Sequence, residues 1–163
     1  MRKRILILLL IVLSLTITGC NYIQEKKAKS YINNYYQSIM DEDYEEAFEQ
    51  LHLFDFETST EESKLSEGTV LSNEKAKQFY LDKIEVLKNH NYKLVDYEIG
   101  EVEYADGHTF WYHINLEVER NEELVEWNEV AHLYEGKLLV GGRDDPFVIF
   151  RDGKMNFEID ELE

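Results

Sequence analysis

His113, His132, Glu117 and Glu129 are the residues of this chain whose types and spacing best suit chemistry. Two imidazoles and a carboxylate can hold a transition metal or move protons as acid and base. The histidines fall in two segments that alternate apolar and polar residues, so pairing of those segments as strands brings them within reach of each other. Trp111, Asn115 and Trp127 share these segments, and with His113 and His132 they supply apolar walls and a few polar groups, the composition of a ligand cavity. Scattered strand histidines are nonetheless more often surface or satisfied core residues. Ser72-Asn73-Glu74-Lys75 spells S-x-x-K, an acyl-transfer nucleophile with its lysine, but the S-D-N and K-T-G elements that this chemistry needs are missing from the sequence. Ser72 is better explained as a helix N-cap. Asp41, Asp43 and Glu45 alternate like the opening of a calcium loop, yet Glu46 and His52 stand where that loop requires glycine and glutamate. The expectation is no catalytic residue, no metal and no cofactor, with Trp111, His113, Asn115, Trp127 and His132 as the candidate cavity.

The elements that must position these residues can be read from periodicity. Ala28, Tyr31, Ile32, Tyr35 and Ile39 mark one face of a helix, and Tyr44, Ala47, Phe48 and Leu51 mark a second. Asp43, with Glu46 three residues on, predicts the cap of that second helix. Residues 53–72 read as a long connection whose first part is tucked in by Leu53, Phe54 and Phe56, with the remainder solvated. A third helix is predicted from about Asn73 to Asn89, packing Ala76, Phe79, Tyr80, Ile84 and Leu87. Strands follow. Val95, Tyr97 and Ile99 alternate, then the phase slips to Val102 and Tyr104 across Gly100, as a β-bulge requires. Asp106-Gly107 signals a hairpin. Phe110, Tyr112, Ile114, Leu116 and Val118 line the buried face of the next strand, with Trp111, His113, Asn115, Glu117 and Glu119 opposite. Turns at Asn121–Glu123 and Glu135-Gly136 bracket a strand from about Leu124 to Tyr134 and lead into Lys137–Val140. "DDPFVIF" and "KMNFEI" read as a last hairpin about Arg151-Asp152-Gly153.

The chain begins differently. Arg2, Lys3 and Arg4 precede an apolar run from Ile5 to Ile17, too short to cross a bilayer as a helix but laid out as a secretory signal. Ile17-Thr18-Gly19-Cys20 resembles the bacterial lipobox. The resemblance implies diacylglyceryl transfer to the sulfur of Cys20, the sole cysteine, and cleavage between Gly19 and Cys20. Residues 1–19 are then a signal peptide, 20–27 a lipidated tether and 28–163 one domain. Two acyl chains hold a protein at a bilayer where one is marginal. Removing residues 1–19 takes away three basic residues and no acidic one, moving the formal charge from −17 to −20. Such a surface repels phosphate backbones and excludes nucleic acid as a partner. The 44% hydrophobic and 13% aromatic content distinguishes the chain from an acidic disordered one.

Helix, helix, long connection, helix, then an antiparallel meander gives an α+β fold with helices packed on one face of a bent sheet. The stretch "AKSYINNYYQSIMDEDYEEAFEQL" and the later "YEGKLLVGG" are similar to NTF2-like (cystatin-like cone) domains, although Leu138 replaces the tryptophan common in that strand. The group hosts enzymes, binders and scaffolds alike. The functional expectation is a membrane-anchored extracytoplasmic lipoprotein acting as a non-catalytic binding or accessory domain, its partners the bilayer and an envelope protein. The alternatives are a small-ligand carrier or sensor using the cone cavity, or a hydrolase or isomerase with a His/carboxylate pair.

Overall fold

The computed structural model describes residues 24–58, 65–105, 109–142 and 144–159, so the signal and Cys20 lie outside the described residues. Helix α1 covers 24–40 and is already helical inside the stretch expected as tether. It buries Ala28, Ile32, Tyr35, Tyr36 and Ile39. Helix α2, Tyr44–Gln50, begins where expected because the Asp43 carboxylate accepts the backbone N–H of Glu46. Helix α3, Asn73–Asn89, is capped by Ser72, whose hydroxyl accepts the N–H of Lys75. That bond is the physical meaning of S-x-x-K here. Ala76, Tyr80, Ile84 and Leu87 face the core, and so does Lys83.

Phe54–Asp55 (β1) is followed, after α3, by a four-stranded antiparallel meander: Tyr92–Ala105 (β2), Thr109–Arg120 (β3), Glu123–Tyr134 (β4) and Lys137–Gly142 (β5), adjacent in that order. The fold is α+β, three helices against one face of this sheet, with a single core cluster shared by helix and strand side chains. Strand β3 alternates as predicted, with Phe110, Tyr112, Ile114, Leu116 and Val118 all buried. The turns at Asn121-Glu122 and Glu135-Gly136 have positive φ at both residues, the type I′ geometry whose twist matches a hairpin. The hairpin signal Asp106-Gly107 lies outside the described residues, though Ala105 and Thr109 pair on either side of it.

Register shifts twice between β2 and β3, across Gly100 as expected and again between Leu94 and Asp96. The second shift is a correction. Tyr92 and Leu94 hold the buried phase, and the bulge turns Val95 outward before Tyr97 and Ile99 turn back in.

The 53–72 stretch and the C-terminal segment also depart from expectation. They meet as a two-stranded parallel sheet, β1 pairing with Lys154–Met155 (β6), so neither is a free loop or a hairpin. Leu65 is buried, and Thr69 donates its hydroxyl to Asp55 at 2.6 Å, so part of the connection expected to be solvated is tied down. "DDPFVIF" is not a strand. The Asp145 carboxylate accepts the N–H of Phe147 and Val148–Phe150 closes a 3-10 turn. A side chain that captures the backbone two residues on offers it an alternative to a ladder. Arg151, Asp152 and Gly153 do form a turn and bend, but they are buried and lead into β6 without closing a hairpin.

Gly153 is required by contact. A Cβ there would stand 1.9 Å from the His52 carbonyl oxygen. Gly153→Ala is expected to lower unfolding free energy by about 2–3 kcal/mol, since a backbone neighbour cannot rotate away. Urea unfolding followed by tryptophan fluorescence checks this, against Gly141→Ala, whose Cβ meets nothing within 4 Å.

Candidate functional site

Period-two geometry decides which candidate residues share a face. On β3 and β4, Tyr112 pairs with Ala131 and His113 with Val130, while Leu116 pairs with Trp127 and Ile114 with Glu129. Trp127 and Glu129 therefore belong to the helix-covered face, and Trp111, His113, Asn115 and His132 to the outer face. The five residues expected to line one cavity do not share one. Trp127 packs against the core. Glu129, considered as a partner for the histidines, is fully buried on the far side of the sheet from both. His113 reaches Glu103 instead, Nε2 to Oε2 at 3.5 Å, in a half-exposed pair at the sheet surface. Asn115 is exposed and lines a shallow depression with Asp96, Glu98, Glu117 and Glu126.

The outer face carries a second, smaller assembly around His132. Its ring lies 4.0 Å from that of Trp111 and is 6% exposed, with Nδ1 shut from water and without a protein partner. Burial, with His52 nearby, pulls its pKa down to about 4, so the imidazole is neutral at neutral pH. His52 donates from Nε2 to the carbonyl of Leu65 at 2.9 Å and packs against Tyr134 and Phe54. Phe54 and Lys154, brought over by the β1–β6 pair, join Leu65, Trp111, Val130, His132, Leu139 and Gly141 around a cavity of about 160 Å³.

The strongest constellation of charge lies in the core, and sequence reasoning missed it. The Arg151 guanidinium, 0% exposed, forms a fork on Glu129, with Nη1 to Oε1 at 3.0 Å and Nη2 to Oε2 at 2.5 Å. Nη2 also donates to Asp145 at 2.6 Å, and Nε to the Tyr92 hydroxyl at 3.2 Å. Tyr92 donates to Asp145, Tyr36 to Glu129, and Tyr35 to the Arg151 carbonyl. Burial opposes the arginine's charge, but Glu129 and its neighbours hold its pKa well above the ordinary value. Beside this network Lys83 donates to the carbonyls of Ile149, Asp152 and Lys154 at 2.8–2.9 Å, with Asp152 Oδ1 at 3.4 Å. Burial pulls Lys83 down to about 8, opposed by Asp152. Every polar group of the Arg151 cluster is thus spent on another protein group, an arrangement that fixes position and leaves no vacant acid or base.

Signals for both buried clusters were present. Lys83 falls on the apolar stripe of α3, between Tyr80 and Leu87. Glu129 interrupts the alternation Val125, Trp127, Ala131, Leu133. Each is a charge at a core position, which demands a buried partner. Among the described residues, no group of three or more histidine, cysteine or acidic residues is arranged to hold a metal.

No protein-family model matches the chain, and no curated protein matches it. Among solved structures it is similar to an NTF2-like protein of unknown function from Cytophaga hutchinsonii, at 13% identity and a TM-score of 0.37, covering 74% of this chain and 93% of that one. That superposition is too loose to establish a common fold.

Glu129→Ala leaves a buried guanidinium short of its main counter-charge and is expected to cost about 3–5 kcal/mol, while His113→Ala at the surface changes stability by less than about 0.5 kcal/mol. Chemical denaturation of both variants checks this. The pH dependence has a defined sign at each end. His132 has a folded pKa below its unfolded one, so its contribution is present above pH about 6.5 and lost as pH falls towards 4. Tyr35, Tyr36, Tyr80 and Tyr92 are raised by burial. Their contribution is intact below pH about 10 and lost as pH rises beyond it. Phenolate absorbance is expected to report these four only as the protein unfolds. His132→Phe should flatten the acid limb of the stability curve.

Proposed function

We propose that the chain is a lipid-anchored lipoprotein that holds a non-catalytic NTF2-like domain outside the cytoplasmic membrane as a binding or accessory module. The observation that carries the reading is the run from Arg2 to Cys20, where a basic start, a short apolar stretch and Ile17-Thr18-Gly19-Cys20 coincide in order and length. Its partners are the bilayer, through acylated Cys20, and an envelope protein. Three further features support it. The residues that could have formed a His/carboxylate acid–base pair are divided between two faces of the sheet or engaged elsewhere. The buried ionic cluster is internally saturated. Helix order, the bulged second strand and the helix-covered sheet agree with an NTF2-like cone. Among the described residues no helix is long and apolar enough to cross a membrane.

The test is fractionation of cells expressing tagged full-length protein beside Cys20→Ala, with metabolic labelling by a fatty acid. Wild type is expected in the membrane fraction with label on the chain. Cys20→Ala is expected to lose the label and migrate with an uncleaved leader. Label on the variant equal to wild type would sink the anchoring. In-cell crosslinking of the same two proteins should then recover a stoichiometric envelope protein from wild type alone.

A further inference from the structure

We propose that the domain docks on an anionic bilayer surface by one end, formed by the first turns of α1 and the last residues of β2. Lys26 and Lys27 meet lipid phosphates there, and Tyr104 enters the headgroup layer. The docking rests on the reading that Cys20 is acylated, and it adds a protein surface to the lipid anchor.

Reach comes first. Helix α1 is already formed at Gln24, so it is joined to Cys20 by a stretch of at most about 14 Å when fully extended. The polar layer on each side of a bilayer is roughly 5–8 Å deep. An acylated Cys20 therefore keeps the start of α1 at the surface, and the packing of the domain decides what accompanies it.

The Tyr112 hydroxyl donates to the Glu25 carbonyl at 3.4 Å, and the Tyr97 hydroxyl to the Asn33 side-chain oxygen at 3.0 Å. Tyr112 pairs with Val102 across β2 and β3, and Leu116 with Tyr97. Helix α1 thus runs antiparallel to β2, with its start level with the last residues of that strand. Tyr104, opposite Phe110, is the next pair along the same sheet face, past the start of α1. It is 62% exposed, its ring packed edgewise on Phe110. An uncovered aromatic ring with a polar tip has the form that settles at membrane–water interfaces.

Charge agrees with position. From Cys20 to Met40 the charged residues are three lysines and one glutamate, a net of +2 in a chain of formal net charge −17. Lys29 takes the Glu25 carboxylate at 2.8 Å. Lys26 and Lys27 are exposed, the Lys27 ammonium 5.8 Å from the centroid of the Tyr31 ring. A lysine stem can lie along apolar surface while its ammonium reaches a phosphate. Attraction to an anionic surface fades within a Debye length, about 8–10 Å, so the lysines nearest the anchor weigh more than acids further up the domain. Glu103 alternates to the sheet face opposite Tyr104 and meets His113 at 3.5 Å.

The experiment uses the full acylated chain, purified from membranes and reconstituted in vesicles of phosphatidylcholine and phosphatidylglycerol in equal parts, with a nitroxide on some headgroups. Acylation consumes the native cysteine, so an introduced one alone takes a fluorophore. Glu103→Cys reports the docked end. Glu123→Cys reports the β3–β4 turn, about 30 Å away along β3. Each reporter removes one glutamate, so the two carry equal charge. Quenching of the Glu103→Cys label is expected to exceed that of the Glu123→Cys label roughly threefold or more, because contact quenching does not span that distance. Lys26→Gln with Lys27→Gln should lower the ratio of docked to undocked protein roughly tenfold, and with it the quenching of the Glu103→Cys label. Asp106 and His108 lie outside the described residues, and comparison within one background measures the lysines whatever those two contribute. Equal quenching of the two labels on a chain whose acyl mass is confirmed would overturn the docked end and leave the anchor standing. Undiminished quenching in the double lysine variant, or in Tyr104→Ser, would overturn the corresponding contact. A chain without acyl mass would overturn anchor and docking together. The contrast between the two labels decides the docked end even if a further variant fails to fold.

Discussion

An arginine stripped of water has to be surrounded before anything near it can pack. Arg151 sits at 0% exposure between Glu129 and Asp145, and the rest of the domain is arranged to make that possible. Strand β4 supplies the first carboxylate and the turn before Val148–Phe150 the second. Helix α1 supplies Tyr35 and Tyr36, and β2 supplies Tyr92. Replacing a buried ion pair by apolar side chains is often neutral or stabilising, while removing one partner is severe. The network therefore acts chiefly as a locator. It fixes the C-terminal segment, helix α1, β2 and β4 relative to one another with directional bonds that apolar contacts lack. Lys83 performs the same task for α3, gripping three backbone carbonyls of the segment that contains Arg151.

With Arg151 and Lys83 used in this way, both buried cations spend their hydrogen bonds on other protein groups. The sheet separates two environments. Its helix-covered face is a core in which the charges of Arg151, Glu129 and Asp145 are matched to one another. Its outer face pairs a close, tilted indole–imidazole contact with a small apolar space, under chain segments that come from both ends of the domain. Elsewhere the outer face is acidic, as Glu103, Glu117 and Glu126 show, and it resembles an ordinary solvated sheet.

Local rules carried much of this fold. Asn73–Asn89 was legible because an apolar stripe, an N-cap serine and a following asparagine agreed with one another, and Asn91 takes the left-handed conformation that ends the helix. Strand β3 was legible because five buried residues alternate without interruption. The bulge at Gly100 announced itself through a glycine, whereas the one beside Val95 is made by ordinary residues and shifts the phase silently. The 147–155 stretch misled because Phe147, Val148, Ile149 and Phe150 have strand composition, yet Asp145 captures the backbone first. Arg151-Asp152-Gly153 has turn composition, yet all three are buried by partners more than fifty residues away in sequence. The candidate site was half legible. His113 and His132 were correctly placed on paired strands, but grouping Trp127 and Glu129 with them ignored the parity of their register, which sends both to the other face.

The parallel contact between β1 and β6, and the bond from Tyr35 to Arg151 across 116 positions of sequence, carry a consequence for how the chain comes into being. Contacts of such separation are late and slow to form. A ribosome that has released helix α1 and the whole meander has still not delivered Arg151. Until it does, Glu129 is an unmatched acid in an apolar sheet face, and β1 has no neighbour to pair with. The last strand pairing and the last ion pair of the domain are thus completed only once residues 151–155 have been made.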